Sequence, residues 1–171
     1  MNTHQIEHIL SAEKSTKDIF CGVFPSNEIP HKPSREKCPL AFVANIDPGH
    51  LPGTHWVAFY FPKQGPLEYF DTYGRLPLPA FETILNEEFL RSRRTLQNPF
   101  SSVCGQYCIY FIFKRCNGIS MSNILRDFGE NVLENDEIVN YYIEHTFDID
   151  LDVYSVKHML KQVSRPMKYP V

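Results

Sequence analysis

The run VCGQYCIYFIF, residues 103–113, is apolar on nearly every side once it is wound into a helix. A helix of that kind has to lie inside the protein rather than on it. It cannot escape into a bilayer, because its longest uninterrupted apolar stretch, Cys108 to Phe113, is far too short to span one. Everything else in the chain must therefore supply the surfaces that cover it. At 171 residues the chain has enough material for one domain, 1–171, to do so.

The best covering surface is a sheet. GTHWVAFYF (53–61) and LEYFDTYG (67–74) are short, aromatic and β-branched, and the turn-forming PKQGP separates them. Together they predict an antiparallel hairpin centred near Gln64. PLAFVANI (39–46) is a third strand, and one further short strand is expected in the turn-rich stretch before it. Helical spacing is found at 3–17 (Ile6, Ile9, Leu10), 79–92 (Phe81, Ile84, Leu85, Phe89), 120–128 and 131–147, with Ser120 as a cap. Residues 152–171 give only a weak, mixed pattern. The order of one helix, then strands, then helices indicates an α+β fold: a central buried helix packed on a mostly antiparallel sheet, with further helices.

The bulk properties exclude some functions. A net charge of −3 argues against a strong nonspecific nucleic-acid binder. The start, MNTHQIEHIL, lacks the basic and apolar regions of a secretory leader, and the five cysteines form no framework. The expectation is an intracellular chain with free thiols, nuclear or cytoplasmic.

Hairpin geometry gives the first chemical clue. A turn centred at Gln64 sets His55 opposite Tyr73 and Val57 opposite Asp71, so His55 and Asp71 become diagonal neighbours on one face. A carboxylate beside an imidazole fixes its tautomer and strengthens it as a base. Cys104 stands where the loop TLQNPFSS turns into the buried helix. The helix dipole and exposed N–H groups at that point favour a thiolate. Gly105 leaves room there for a substrate backbone. Gln97 lies seven positions upstream, and its amide can donate to a developing oxyanion together with the Cys104 N–H. Taken singly, each has a plainer reading: a surface His and Asp, a core cysteine like Cys108 and Cys116, a solvated loop glutamine. Cys104 and Cys108 as a metal pair have no second ligand pair at zinc spacing.

The joint pattern resembles the adenovirus-type cysteine endopeptidase family, adenain, whose wider clan includes the SUMO and NEDD8 proteases. Its carriers here are His55 and Trp56 in GTHWVAFYF, Asp71, and QNPFSSVCG with Gln97, Pro99, Ser101, Cys104 and Gly105 in the family's spacing. CGVFPSNEIP resembles its N-terminal loop. Related proteases occur in Maverick/Polinton and adintovirus-like elements. The resemblance implies a papain-like fold in circularly rearranged order. It also implies Cys104 as nucleophile, His55 as base and then acid, Asp71 as its orienting partner, and Gln97 as oxyanion donor. Trp56, Gly53 and Gly105 would lie on the substrate side.

The implied activity is cleavage of viral or element-encoded structural precursors, capsid and core proteins, at glycine-containing sites by a monomer in the host nucleus and virion. No metal and no required cofactor is implied. DNA and an activating peptide are the family's accessory factors. Against them stand the slight acidity and the lack of a cysteine in 80–96. The one basic cluster, Arg91, Arg93 and Arg94, reads as a solvated helix end. Asp71, where the adenoviral enzyme mostly has Glu, matches the ubiquitin-like-protein proteases, which are the alternative. An acetyltransferase and a non-catalytic interaction module of the same fold are the remaining classes.

Overall fold

A computed structural model describes residues 1–85 and 88–151. Helix α1 (Thr3–Ala12) opens with a reciprocal cap: Asn2 Oδ1 accepts the Gln5 N–H, and Gln5 Oε1 accepts the Asn2 N–H. It buries Ile6, Ile9 and Leu10, the stripe its spacing predicts. The helix stops short of the expected Lys17, where the Thr16 hydroxyl donates back to the Leu10 carbonyl.

Five strands follow: β1 (Phe20–Phe24), β2 (Leu40–Asn45), β3 (Trp56–Phe61), β4 (Leu67–Phe70) and β5 (Phe89–Arg91), in the spatial order β1-β2-β3-β4-β5. The three central strands are antiparallel, and each edge strand is added in parallel. The β3–β4 register pairs Ala58 with Phe70, Phe59 with Tyr69 and Tyr60 with Glu68. That is the hairpin centred on Gln64. Both faces of the sheet are covered, so its strands are apolar throughout rather than alternating. Ala41, Val43, Ala58, Tyr60 and Phe70 face the helices. Phe42, Val57, Phe59 and Tyr69 face Phe81 and Ile84 on the other side.

The buried run forms α2 (Cys104–Cys116), which lies on the sheet with Phe111 stacked flat on Phe70, centroids 4.6 Å apart. Helix α3 (Met121–Arg126) is capped by Ser120, as expected, and α4 (Val132–Phe147) by Asn131. Among the described residues, no helix is long and apolar enough to cross a membrane. The weak pattern at 152–171 lies outside the described residues.

The helix expected over 79–92 does not form. A 3-10 turn at Pro79–Phe81 drops Phe81 and Ile84 onto the sheet's far face, and 89–91 becomes β5. The open edge of β4 explains the change. Its backbone groups beside the buried Glu68 and Tyr69 need partners, and the parallel strand meets that need where a helix would not.

Candidate active site

His55 lies one residue before β3 and Asp71 one residue after β4, so the hairpin register carries both to the same end of the sheet. The His55 and Tyr73 rings sit 4.8 Å apart, which shows the register continuing past the paired segment. The imidazole Nε2 donates to Asp71 Oδ1 at 2.6 Å. Asp71 is held in turn: Oδ1 accepts the Tyr73 N–H at 3.0 Å and Oδ2 accepts the Arg75 N–H at 3.2 Å. Gly74, between those two donors, takes a left-handed φ of 63°. Burial pushes the Asp71 carboxyl up, but the His55 hydrogen bond and these N–H groups outweigh it and the pKa is lowered.

With Nε2 committed to Asp71, the other ring nitrogen is left for Cys104, which lies close enough to the imidazole for each group to shift the other's pKa. The sulfur also faces the N–H groups of Trp56 and Gly105. Burial raises the thiol pKa, yet the imidazole and these two donors reverse the effect and lower it. For His55, burial favours the neutral ring. Asp71 and Cys104 overcome this and raise its pKa to about 9. Together these shifts describe a thiolate–imidazolium pair. Val103 caps α2 without a side-chain hydrogen bond, leaving the first-turn N–H groups to serve the site. Elsewhere burial pushes the Cys116 thiol up to about 11 and the Cys108 thiol well above its ordinary value.

Gln97 is wholly buried. Its Oε1 accepts the Thr72 hydroxyl at 2.8 Å, and its Nε2 donates to the Ser101 carbonyl at 3.1 Å and the Ser101 hydroxyl at 3.3 Å. A carbonyl only accepts, so the amide cannot be turned over. Thus Asp71, Thr72 and Tyr73, consecutive in sequence, hold the His55 ring, hold the Gln97 amide and pack against the imidazole. Sequence reasoning does not find Thr72, and it gives Tyr73 and Ser101 no role, although it sets Tyr73 opposite His55 and counts Ser101 in the motif around Cys104. The signal for Thr72 is adjacency to Asp71.

Trp56 is half-buried and lines, with Gly53, Asn45, Val23 and Pro25, a groove of about 190 Å³. Gly53 has φ 82°, and a Cβ there would lie 2.3 Å from Asn45 Nδ2, so only glycine fits. Gly105 departs from expectation. A Cβ on it would lie 3.1 Å from Ile6 Cδ1 and 3.3 Å from Met1 Cβ, so the space reserved for a substrate backbone is taken by α1. What Gly105 gives the site is its N–H.

The arginine cluster is not a solvated helix end either. Arg91 lies in β5 and donates to the Gly74 and Ser92 carbonyls, while Arg94 donates to the carbonyls of Leu125, Phe128 and Gly129.

No family model and no curated protein matches the chain. Among solved structures, the crystal structure of ASFV pS273R protease is similar with a TM-score of 0.56 at 17% identity, over 80% of this chain and 64% of that one. A selenomethionine crystal structure of the same protease gives a TM-score of 0.48 at 22% identity, over 66% and 46%. This chain therefore spans under two thirds of that protein's length. The likeness to the first structure is one of fold: a papain-like α+β arrangement with a central helix on a five-stranded sheet.

Proposed function

We propose that the chain is a cysteine endopeptidase of the clan that contains adenain and the SUMO proteases, acting on viral or element-encoded structural precursors at glycine-containing sites. The observation that carries this reading is the buried Asp71–His55–Cys104 relay, with a 2.6 Å Nε2–Oδ1 contact at one end and a stabilised thiolate at the other. The fold shared with the ASFV protease adds to it.

In this reading the Cys104 thiolate attacks the scissile carbonyl carbon, and its π electrons move onto oxygen. The Cys104 N–H receives that oxyanion, joined by Gln97 Nε2 once one of its two N–H groups leaves Ser101. The tetrahedral species collapses, the C–N bond breaks, and the imidazolium of His55 gives its proton to the leaving amine. Water then attacks the thioester with neutral His55 as base, releasing the acid and restoring the thiolate. Asp71 holds the ring throughout. Gly53 and Trp56 border the groove where the residues before the cut would lie, and this favours small side chains.

The test is a glycine-rich peptide library with capsid-type precursors, incubated with the wild type and Cys104→Ala, each with and without DNA. Cleavage by the wild type alone is expected; identical fragments from Cys104→Ala would overturn the assignment. Asp71 as third member favours a second reading, a ubiquitin-like-protein protease. Hydrolysis of ubiquitin-like precursors only, in the same panel, would replace the substrate class.

A further inference from the structure

Gln97 is useful as an oxyanion donor only if its backbone cannot drift, and its own side chain does not hold that backbone. The restraint comes from elements that touch no reacting atom. On one side, the Leu96 N–H donates to the Thr72 carbonyl at 2.7 Å, and the Leu96 carbonyl accepts Asn135 Nδ2 at 3.0 Å. On the other, the Asn98 N–H points between both oxygens of Asp136, at 3.4 and 3.3 Å. Asn135 and Asp136 are consecutive on α4, so one turn of that helix grips the peptide units before and after Gln97. Tyr107, three residues into α2 from Cys104, completes the arrangement. Its hydroxyl lies 3.1 Å from Asp136 Oδ1 and 3.1 Å from the Leu96 carbonyl. It has one proton for two acceptors, which an ionised carboxylate wins.

A buried carboxylate is costly unless it is well bonded, and an apolar pair could close this helix–loop contact with less penalty. Asp136 is buried, is not in an ion pair among the described residues, and spends its acceptors on the Asn98 N–H, next to Gln97, and on the Tyr107 hydroxyl. We infer that Asp136, steadied by Tyr107, is a positioning residue that fixes the Gln97 loop relative to Cys104 for oxyanion stabilisation. This rests on the protease reading above.

The test uses the full chain and a glycine-containing peptide that the wild type cleaves. Asp136→Ala, Asp136→Asn and Tyr107→Phe are compared for kcat, KM, and the rate of Cys104 alkylation by iodoacetamide, which needs the thiolate but no oxyanion donor. Asp136→Ala is expected to lower kcat about 10- to 100-fold, with KM within about twofold and alkylation unchanged. Asp136→Asn keeps an acceptor for the Asn98 N–H and is expected to recover most of the loss. Tyr107→Phe should lower kcat about threefold to tenfold, again without changing alkylation. A folded Asp136→Ala chain with wild-type kcat overturns the inference. So does a parallel fall of kcat and alkylation, which means general disorder. If Asp136→Ala fails to fold, wild-type kcat in both other variants overturns it. A wild type that alkylates normally but cleaves no peptide overturns the protease reading itself, and the positioning role with it.

Discussion

Burial opposes charge on both Cys104 and His55, but their mutual contact, with Asp71 on the imidazole and two backbone N–H groups on the sulfur, outweighs it, and this sets a pH window. The imidazole stays protonated up to about 9 and the thiol ionises below its ordinary 9. Between the two lies the ion pair, which in the proposed mechanism both attacks and protonates the leaving amine. As pH falls, Cys104 is protonated and attack fails. As pH rises through about 9, His55 loses the proton that the amine requires. The dependence of kcat/KM on pH should therefore be bell-shaped, with the alkaline limb near 9, a value that belongs to the pair. His55→Ala removes the largest contribution to the thiol's lowered pKa. Alkylation of Cys104 near pH 6.5 should then slow about tenfold or more, with the difference closing above about pH 9.5. Equal rates for both proteins near pH 6.5 would mean that the imidazole does not activate the sulfur.

At the scale of elements, the two that carry chemistry were legible and one that only supports them was not. The hairpin could be read because aromatic strands flank a short Pro- and Gly-bearing turn, and its centre alone aligns His55 with Asp71. Helix α2 could be read because an all-apolar run has one destination. β5 could not, because Phe81, Ile84, Leu85 and Phe89 keep helical spacing, and the unpaired edge of β4 that overrides it exists only in the folded protein. Gly105 failed for a similar reason: sequence shows that a glycine leaves room, but not that α1 fills it. The turn after β4 lends itself to a direct test. A Cβ on Gly74 would lie 2.7 Å from the Arg93 carbonyl carbon and 2.9 Å from both its oxygen and the Arg94 nitrogen, all backbone atoms that cannot swing aside. Gly74→Ala should cost about 1–3 kcal/mol in urea unfolding. It should also lower kcat/KM, because the Tyr73 and Arg75 N–H groups that hold the Asp71 carboxylate flank it. Unchanged stability would show that the turn relaxes freely.

Seen whole, the molecule has a core on each side of the sheet, and only one of them joins the two halves of the site. In the proposed mechanism the nucleophile rides on α2, and the base and its carboxylate stand just outside β3 and β4. Phe70, the residue before Asp71, stacks on Phe111, seven positions along α2 from Cys104, with centroids 4.6 Å apart and rings 3° from parallel. The far face offers a control in Phe59, stacked on Phe42 with centroids also 4.6 Å apart and rings at 17°, and meeting Tyr69 and Phe81 edge-on. All four stacked rings are fully buried. Phe111→Leu removes one stacked pair and should cost about 1–2 kcal/mol in urea unfolding; Phe59→Leu removes two edge contacts besides its stacked pair and should cost at least as much. The catalytic consequences should differ. Phe111→Leu loosens the contact that spaces α2 from β4, and a small shift there misaligns sulfur, imidazole and carboxylate. Iodoacetamide labelling of Cys104 at neutral pH, and kcat/KM with it, should fall about tenfold. Phe59→Leu should leave both within about twofold, because its gap opens away from the helix. If the two variants lose stability equally and reactivity equally, the site is coupled to overall stability and not to the helix–sheet spacing. If only Phe111→Leu loses reactivity, the stacked pair sets the distance across which the chemistry works.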